Sequence, residues 1–486
     1  MSRASVGWIL SFLFTFWPSV YGQTGQTGSN TGTEFTNLMQ KARNGNTAAQ
    51  IQLGSAFQNG LGVEKNSEEA MKWYRLAADR GDPQAQVDVG WMLQHEAPPK
   101  YDEAAKWYMR AAVSGSETGA FNLGMLYMQG LGVAKSEAEA ARWFRKAADA
   151  GNVNAMTNLG CLYSRGVGVP KDMHEALALT RKAAKKHVAE AEYNLGGFYE
   201  NGDGVPQDFH EAMKWYREAA VHGSVKSQLR LGLMCAQGRG TGPDDREALQ
   251  WFLRAAESDS AEAEFNTGLF YEKGRGLSPD LEKAVEWYQK SAYQGFAAAQ
   301  VNLGYLCEHG LGTPEDPARA ASLYRSAAEQ GKLEGQVNLA RLYDHGVGVV
   351  QDYAEAAKWY RQAADQGDLE AMTKLAAFLL TGKGVVRDAG KALDFLKQAA
   401  EQGNATAQFD LAQIYRDGAA TPVDLVSAYV WLSLAGRSFD VSTLLQALTS
   451  RMSPADVAAA QARVADWQKR HGAGLSAKQT VGVGPH

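Results

Sequence analysis

An all-α fold is what this sequence predicts: a stack of about eleven 36-residue helix–turn–helix repeats, closed by C-terminal capping helices. Three observations point there. A Leu-Gly step, or its equivalent, ends in a small residue at Gly54, Gly90, Gly124, Gly160, Gly196, Gly232, Gly268, Gly304, Ala340, Ala376 and Ala412, spaced 36, then 34, then 36 eight times. Self-similarity at such a period is the signature of stacked supersecondary units. A second small residue stands five before each anchor without exception, from Ala49 and Ala85 to Ala371 and Ala407. The third observation is compositional: 51 glycines but only 13 prolines, with the glycines periodic and therefore structural, not linker-forming.

Taken in order, the chain opens with Arg3 and a 12-residue apolar core, Val6 to Trp17, then small residues at Val20 and Gly22. That reads as an export signal over 1–22, its core too short to span a bilayer. Residues 23–40 begin with the polar, Gly/Thr-rich QTGQTGSNTGT stretch and are expected to be a flexible linker. The repeats are expected over 41–438. The Leu or Val before the anchor, in ten copies with Thr267 the exception, and the Phe or Tyr that often stands three beyond it (Phe57, Tyr127, Tyr163, Tyr199, Tyr271) make one apolar stripe at helical spacing. A Gly-x-Gly such as Gly60-Leu-Gly62 ends this first helix. The second helix starts at Asp172, Asp208, Asp244, Asp280, Asp316, Asp352, Asp388 or Asp424, with Asn66 and Ser136 in earlier copies. A side-chain oxygen there caps orphan amides of the first turn. Its body is Ala-x-x-Trp-Tyr-x-x-Ala-Ala, with Trp73, Trp107, Trp143, Trp215, Trp251, Trp287, Trp359 and Trp431 in one phase, read as core. A closing glycine follows in nine copies, and Asn, Asp or Ser after it in eight. Capping helices are expected over 439–471, where Ser453, Pro454 and Asp456 start a helix with Val457, Val464 and Trp467 on one face. The tail, 472–486, lacks pattern and is expected to be loose.

The pattern small-x-x-x-Leu-Gly-x-x-Tyr, Gly-x-Gly-Val, Asp, Ala-x-x-Trp-Tyr-x-x-Ala-Ala-x-x-Gly, well matched by Ala191 to Gly223, resembles the Sel-1-like repeat family, a relative of the tetratricopeptide repeats. The resemblance covers about four fifths of the chain. It implies a right-handed α-solenoid and a role in protein–protein interaction or complex assembly. Repeat four departs from it with Leu179-Thr180 in place of Trp-Tyr, and repeats nine to eleven carry Ala at the anchor. The closing segment is similar to that of exported bacterial members.

In a stacked array the first helices line the concave face, the usual docking surface. In the tetratricopeptide relatives the residue before the Leu of the anchor step points into it. Here that phase holds Asn122, Asn158, Asn194, Asn266, Asn302 and Asn338, with Arg230 interrupting. A carboxamide offers a donor and an acceptor together, so a ladder of them suits an extended peptide backbone; bonding to their own loops is the alternative. One residue past the anchor, Trp91, Met125, Cys161, Leu233, Leu269 and Tyr305 either line the same groove or pack repeats together. Glu190, Glu262, Glu334 and Glu370, then Glu200, Glu272, Glu308 and Asp344, flank these phases: sharing the concave rim, they would make an acidic groove favouring a basic or polar partner, and solvated helix faces are the alternative.

Composition excludes several classes. Lys and Arg number 49 against 54 Asp and Glu, a net charge of −5, without the basic excess that nucleic-acid binding requires. Cys161, Cys235 and Cys307 fall two repeats apart, beyond disulfide reach, and Cys235 and Cys307 are expected to be inert core thiols. His309 and His345 lie one repeat apart, too far to share a zinc ion. No catalytic residue, metal ligand or cofactor is expected, and no transmembrane segment after signal cleavage. The expectation is an exported, periplasmic or secreted, non-enzymatic scaffold that docks a protein or peptide. Two alternatives stay open: a cell-envelope enzyme like the cysteine-rich relatives that bind or cleave β-lactams, whose paired cysteines are missing here, and an endoplasmic-reticulum-lumen adaptor of protein degradation. The partner and the oligomeric state are not legible.

Overall fold

A computed structural model describes residues 31–436, 438 and 440–478, and all regular structure among them is α-helical. A leading helix, Thr31–Arg43, precedes eleven pairs, here called helix A and helix B, running from Thr47–Asn59 and Ser67–Ala78 to Ala405–Asp417 and Leu425–Ala435. Two further helices, Ser442–Thr449 and Pro454–Lys478, close the chain. The fold is an α-solenoid. It divides into two compact units, the boundary falling between Trp251 and Phe252. The expected signal, 1–22, lies outside the described residues. Of the expected linker, 31–40 are already helical, and of the expected loose tail, 472–478 continue the last helix.

Small residues set the distance between helices. In repeat five a Cβ added to the anchor Gly196 would lie 2.7 Å from the ring of Tyr216 on helix B. Glycine therefore lets the two helices of one hairpin close over an aromatic ring. The small residue five earlier faces the preceding repeat: a Cβ on Gly119 would lie 2.6 Å from the Cβ of Ala111. The second glycine of Gly-x-Gly is the tightest point in several repeats, at Gly132, Gly168, Gly348 and Gly384, whereas Gly62 meets nothing within 4 Å. Gly168 has φ +69° and approaches the start of the preceding helix B so closely that a Cβ would sit 2.2 Å from the Glu137 carbonyl oxygen.

The caps follow the sequence reading closely. Asp172 accepts from the Glu175 amide at 3.0 Å and Asp388 from the Lys391 amide at 3.0 Å, each such cap contributing about 1 kcal/mol. Before helix A, Asn46, Asp82, Ser116, Asn152, Ser224, Ser260, Asp368 and Asn404 accept from amides three residues on, whereas Val188, Phe296 and Lys332 make no side-chain cap.

The tryptophan stripe is core in part: Trp143, Trp359 and Trp431 are buried, but the rest correct the sequence reading. The fully buried aromatics are its neighbours, Tyr108, Phe144, Tyr288 and Tyr324, while Trp73, Trp107, Trp215 and Trp287 are only half-buried. Adjacent residues on a helix point about 100° apart, so only one ring of the pair faces its partner helix. Several of the tryptophans meet cations instead, with Arg110 over Trp107 at 4.5 Å and Lys290 over Trp287 at 4.1 Å. Those contacts cover the outer side of helix B.

In the second unit the last helix covers helix B of repeat eleven. Trp467 is 4% exposed and Ala460 fully buried; Trp467 Nε1 donates to Glu401 at 3.0 Å, and the Ser453 hydroxyl accepts from the Asp456 amide at 3.1 Å. A repeat array needs such a lid over its terminal apolar face.

Candidate docking face on the first helices

Helix A carries every residue that the sequence puts forward for partner binding, and the structure sorts them. In the first unit Asn158 and Asn194 are each 3% exposed. Their amides donate to sulfur in the preceding repeat: Asn158 to Met125 Sδ at 3.6 Å and Asn194 to Cys161 Sγ at 3.4 Å. The two groove phases thus meet each other across a repeat junction, and for these residues the apolar phase is packing. Asn122, half-buried, hydrogen-bonds the Tyr108 hydroxyl, which itself donates to Gln94 at 3.1 Å. Trp91 is half-buried and stacks on His95 with ring centroids 4.1 Å apart.

In the second unit the same phase is more open. Asn302 donates to the Tyr288 hydroxyl at 3.1 Å and Asn266 to the Glu262 carbonyl of its own helix at 2.7 Å. Asn338 is half-buried, as is Tyr305, which packs against His309 at 4.3 Å. Each amide keeps hydrogen-bonding capacity beyond the one bond it makes.

The acidic rim is corrected in part: Glu262, Glu334 and Glu370 are exposed and Glu190 and Glu272 half-buried, but three others are not at a rim. Glu200, Glu308 and Asp344 are 4%, 9% and 9% exposed. They bind inward, to a tyrosine or to a cation of a later repeat. Glu200 accepts from the Tyr216 hydroxyl at 2.8 Å and from Arg230 Nε at 2.8 Å. Glu308 accepts from the Tyr324 hydroxyl at 3.1 Å and twice from Arg341 Nη2 at 2.7 Å; Asp344 pairs with Lys383 at 2.9 Å. Arg230 is therefore a structural counter-ion, and these carboxylates present no acidic edge. An unpaired carboxylate at that depth would carry a large desolvation cost.

Chemistry for catalysis is not apparent in the thiols. Cys235 and Cys307 are fully buried, and burial pushes the Cys161 thiol up to about 11 and that of Cys235 to about 12, so neither supplies a thiolate nucleophile. His309 and His345 spend Nδ1 on carbonyls of their own helices, Tyr305 at 2.9 Å and Arg341 at 2.8 Å. One cluster escaped the sequence reading: His187, Glu192 and His222 hold their ligand atoms within 4.8 Å of one another. The signal was present, since His187 breaks the run of closing glycines. Among the described residues no helix is long and apolar enough to cross a membrane.

Comparison with known proteins gives the architecture a family context. The model of the Sel1 repeat matches eleven consecutive segments, 47–82, 83–116, 118–152, 153–187, 189–224, 225–260, 261–296, 297–332, 333–368, 369–404 and 405–438. Among solved structures, the chain is similar to c5321, a protective antigen present in uropathogenic Escherichia coli strains displaying an SLR fold. Identity is 31%, coverage 94% of this chain and 98% of that one, and the TM-score 0.70. A Sel1 repeat protein from Oxalobacter formigenes is 27% identical over 72% of this chain and 91% of its own, with TM-score 0.50. No curated protein matches the chain.

Proposed function

We propose that this chain, which belongs to the Sel1-repeat family, is an exported, non-enzymatic scaffold that docks a protein or peptide along its helix A faces. Sel1-repeat proteins are generally protein-interaction scaffolds and not typically enzymes. The observation that carries the reading is the contrast between the two helices of a repeat. Helix B spends its polar residues on caps and cation contacts, whereas helix A of the second unit holds half-buried carboxamides at one phase, Asn266, Asn302 and Asn338, beside the half-buried ring of Tyr305. Amides and an aromatic in register fit an extended peptide, whose backbone needs donor and acceptor together. The apolar stretch within residues 1–22, read from sequence as an export signal, and the likeness to a protective antigen of uropathogenic Escherichia coli support export.

The test is photo-crosslinking from Tyr305 replaced by a benzophenone amino acid, in wild-type background and with Asn266→Ala/Asn302→Ala/Asn338→Ala. The expected result is loss of the crosslinked species at least tenfold in the triple variant, with unchanged far-ultraviolet circular dichroism. Equal recovery from both backgrounds would remove the carboxamide face from the proposal.

A further inference from the structure

Three departures from the repeat pattern converge on one spot in the first unit. The first is His187. The residue closing helix B is glycine with positive φ in eight repeats, among them Gly151 (φ 107°) and Gly223 (φ 90°), but His187 takes φ 59° at this phase, as Asp259 does at φ 55° two repeats later. A histidine in the left-handed region is less favourable than glycine, and it puts an imidazole where those eight repeats have no side chain.

The second is Glu192, in the first turn of helix A of repeat five. Six repeats place glutamine at this phase, and its amide donates to a carbonyl eight residues back, as Gln50 does to Ala42 at 3.0 Å and Gln408 to Ala400 at 3.0 Å. A carboxylate cannot donate that bond. Glu192 nevertheless sits there, with its side chain 1% exposed. The third is His222, where Gln294, Gln330 and Gln366 stand two, three and four repeats later and donate to the corresponding residue below, Gln366 to Gln336 at 2.7 Å.

Glu264 is an internal comparison. It is also a glutamate at the glutamine phase, but it accepts from the neutral amide of Gln294 at 2.8 Å, and burial raises its pKa. Around Glu192 stand two imidazoles instead. His222 Nδ1 is 2.7 Å from one carboxylate oxygen and His187 Nδ1 is 3.6 Å from the other, and the two rings lie 4.8 Å apart.

We propose that His187, Glu192 and His222 form a binding site for a divalent transition-metal ion of the zinc type. Two imidazole nitrogens and one carboxylate oxygen are a borderline donor set that suits zinc and its neighbours and not calcium or magnesium. Ligand atoms each ~2.1 Å from one ion stand roughly 3.4 Å apart, and two of the contacts already span that value. The remaining adjustment falls on His187, whose side chain is 70% exposed and free to swing. Three protein ligands leave a coordination position for water or for a donor from a partner. The ion ties the loop after helix B of repeat four to both helices of repeat five, and gives the buried Glu192 carboxylate its counter-charge.

The full-length mature chain, free of any polyhistidine tag and stripped with a chelator, is titrated with zinc chloride by calorimetry, with bound zinc counted by mass spectrometry. The expected stoichiometry is one zinc per chain, with a thermal midpoint that rises on zinc addition. Glu192→Gln, His222→Gln and His187→Gly install residues that other repeats carry at these phases, so the fold is retained. Each should weaken zinc binding at least a hundredfold and abolish the thermal response, while His309→Gln changes neither. Absence of stoichiometric zinc on the wild-type chain, or unchanged affinity in His187→Gly/His222→Gln, overturns the site.

Discussion

Replacing Arg230 with alanine should destabilise the junction of repeats five and six by about 2 kcal/mol, and adding Glu200→Gln should recover roughly half of that. Glu200 is the reason. Its side chain is 4% exposed, and it accepts from Arg230 Nε at 2.8 Å, from Arg230 Nη2 and from the Tyr216 hydroxyl at 2.8 Å. Removing one member of a fully buried ion pair costs about 3–5 kcal/mol, because the other charge is stranded. Here Arg230 is 25% exposed and Arg239 Nη1 remains 3.5 Å from the carboxylate, which brings the figure down to about 2 kcal/mol. A glutamine at 200 removes the stranded charge and still accepts from the tyrosine. Repeats one and two show that neutral arrangement, with Tyr74 donating to Gln58 at 2.8 Å and Tyr108 to Gln94 at 3.1 Å. The assay is a double-mutant cycle by urea unfolding, with hydrogen exchange of the Val225–Gln237 amides locating the effect. A coupling energy of about 1 kcal/mol or more is expected, little reduced by salt because the pair is shielded from solvent. Additive effects, within about 0.5 kcal/mol, would refute the claim that Arg230 serves chiefly as the counter-ion of Glu200.

Asp88 occupies the asparagine phase in repeat two, and burial pushes its carboxyl up from 3.8 to about 7. Because the folded value exceeds the unfolded one, its contribution is fully present below about pH 4 and is lost as pH rises to 7. Asp88→Asn should therefore leave stability unchanged near pH 4 and raise it by about 2 kcal/mol at pH 8, half the ~4 kcal/mol that three pKa units allow, since the side chain is partly exposed; thermal unfolding at both pH values checks this, and equal shifts would count against it. Gly168→Ala should cost about 3 kcal/mol or more, combining positive φ with a Cβ 2.2 Å from the Glu137 carbonyl. Gly223→Ala, with φ +90° but nothing within 4 Å, should cost only about 1–2 kcal/mol in the same urea titration.

The period of the sequence carried most of the architecture. Cap residues and helix ends follow from local chemistry, and each lies within three or four residues of the group it serves. What the period could not resolve was direction. Trp215 and Tyr216 are both aromatic and adjacent, and which ring faces inward depends on Gly196, a residue on another helix. The carboxylates at 200 and 308 were misplaced at a rim for the same reason, since the cations that hold them stand 30 and 33 residues later. Nor could the asparagine phase be ranked by exposure from sequence. Asn158 and Asn194 find sulfur acceptors in Met125 and Cys161, while Asn266 turns back to its own helix.

A rule within the repeats connects these cases and bears on function. A buried phenol needs an acceptor. Where helix B offers Tyr216, Tyr288 or Tyr324, helix A of the same repeat offers Glu200, Glu272 or Glu308, within 2.6 to 3.1 Å. Where helix B offers Phe144 or Leu396, the corresponding residue is Met128 or Leu380, and no polar partner is required. Ring and acceptor therefore change together, as a unit that belongs to packing. Polar residues on helix A that obey this rule are committed to the interior and say nothing about a partner. The residues left over are those the rule does not claim: Asn266, Asn302, Asn338, Trp91 and Tyr305 on helix A, and the cluster of His187 and His222 at the ends of two helices B with Glu192 on helix A. In an array this regular, structure accounts for the repetition, and the exceptions are where binding has to be sought.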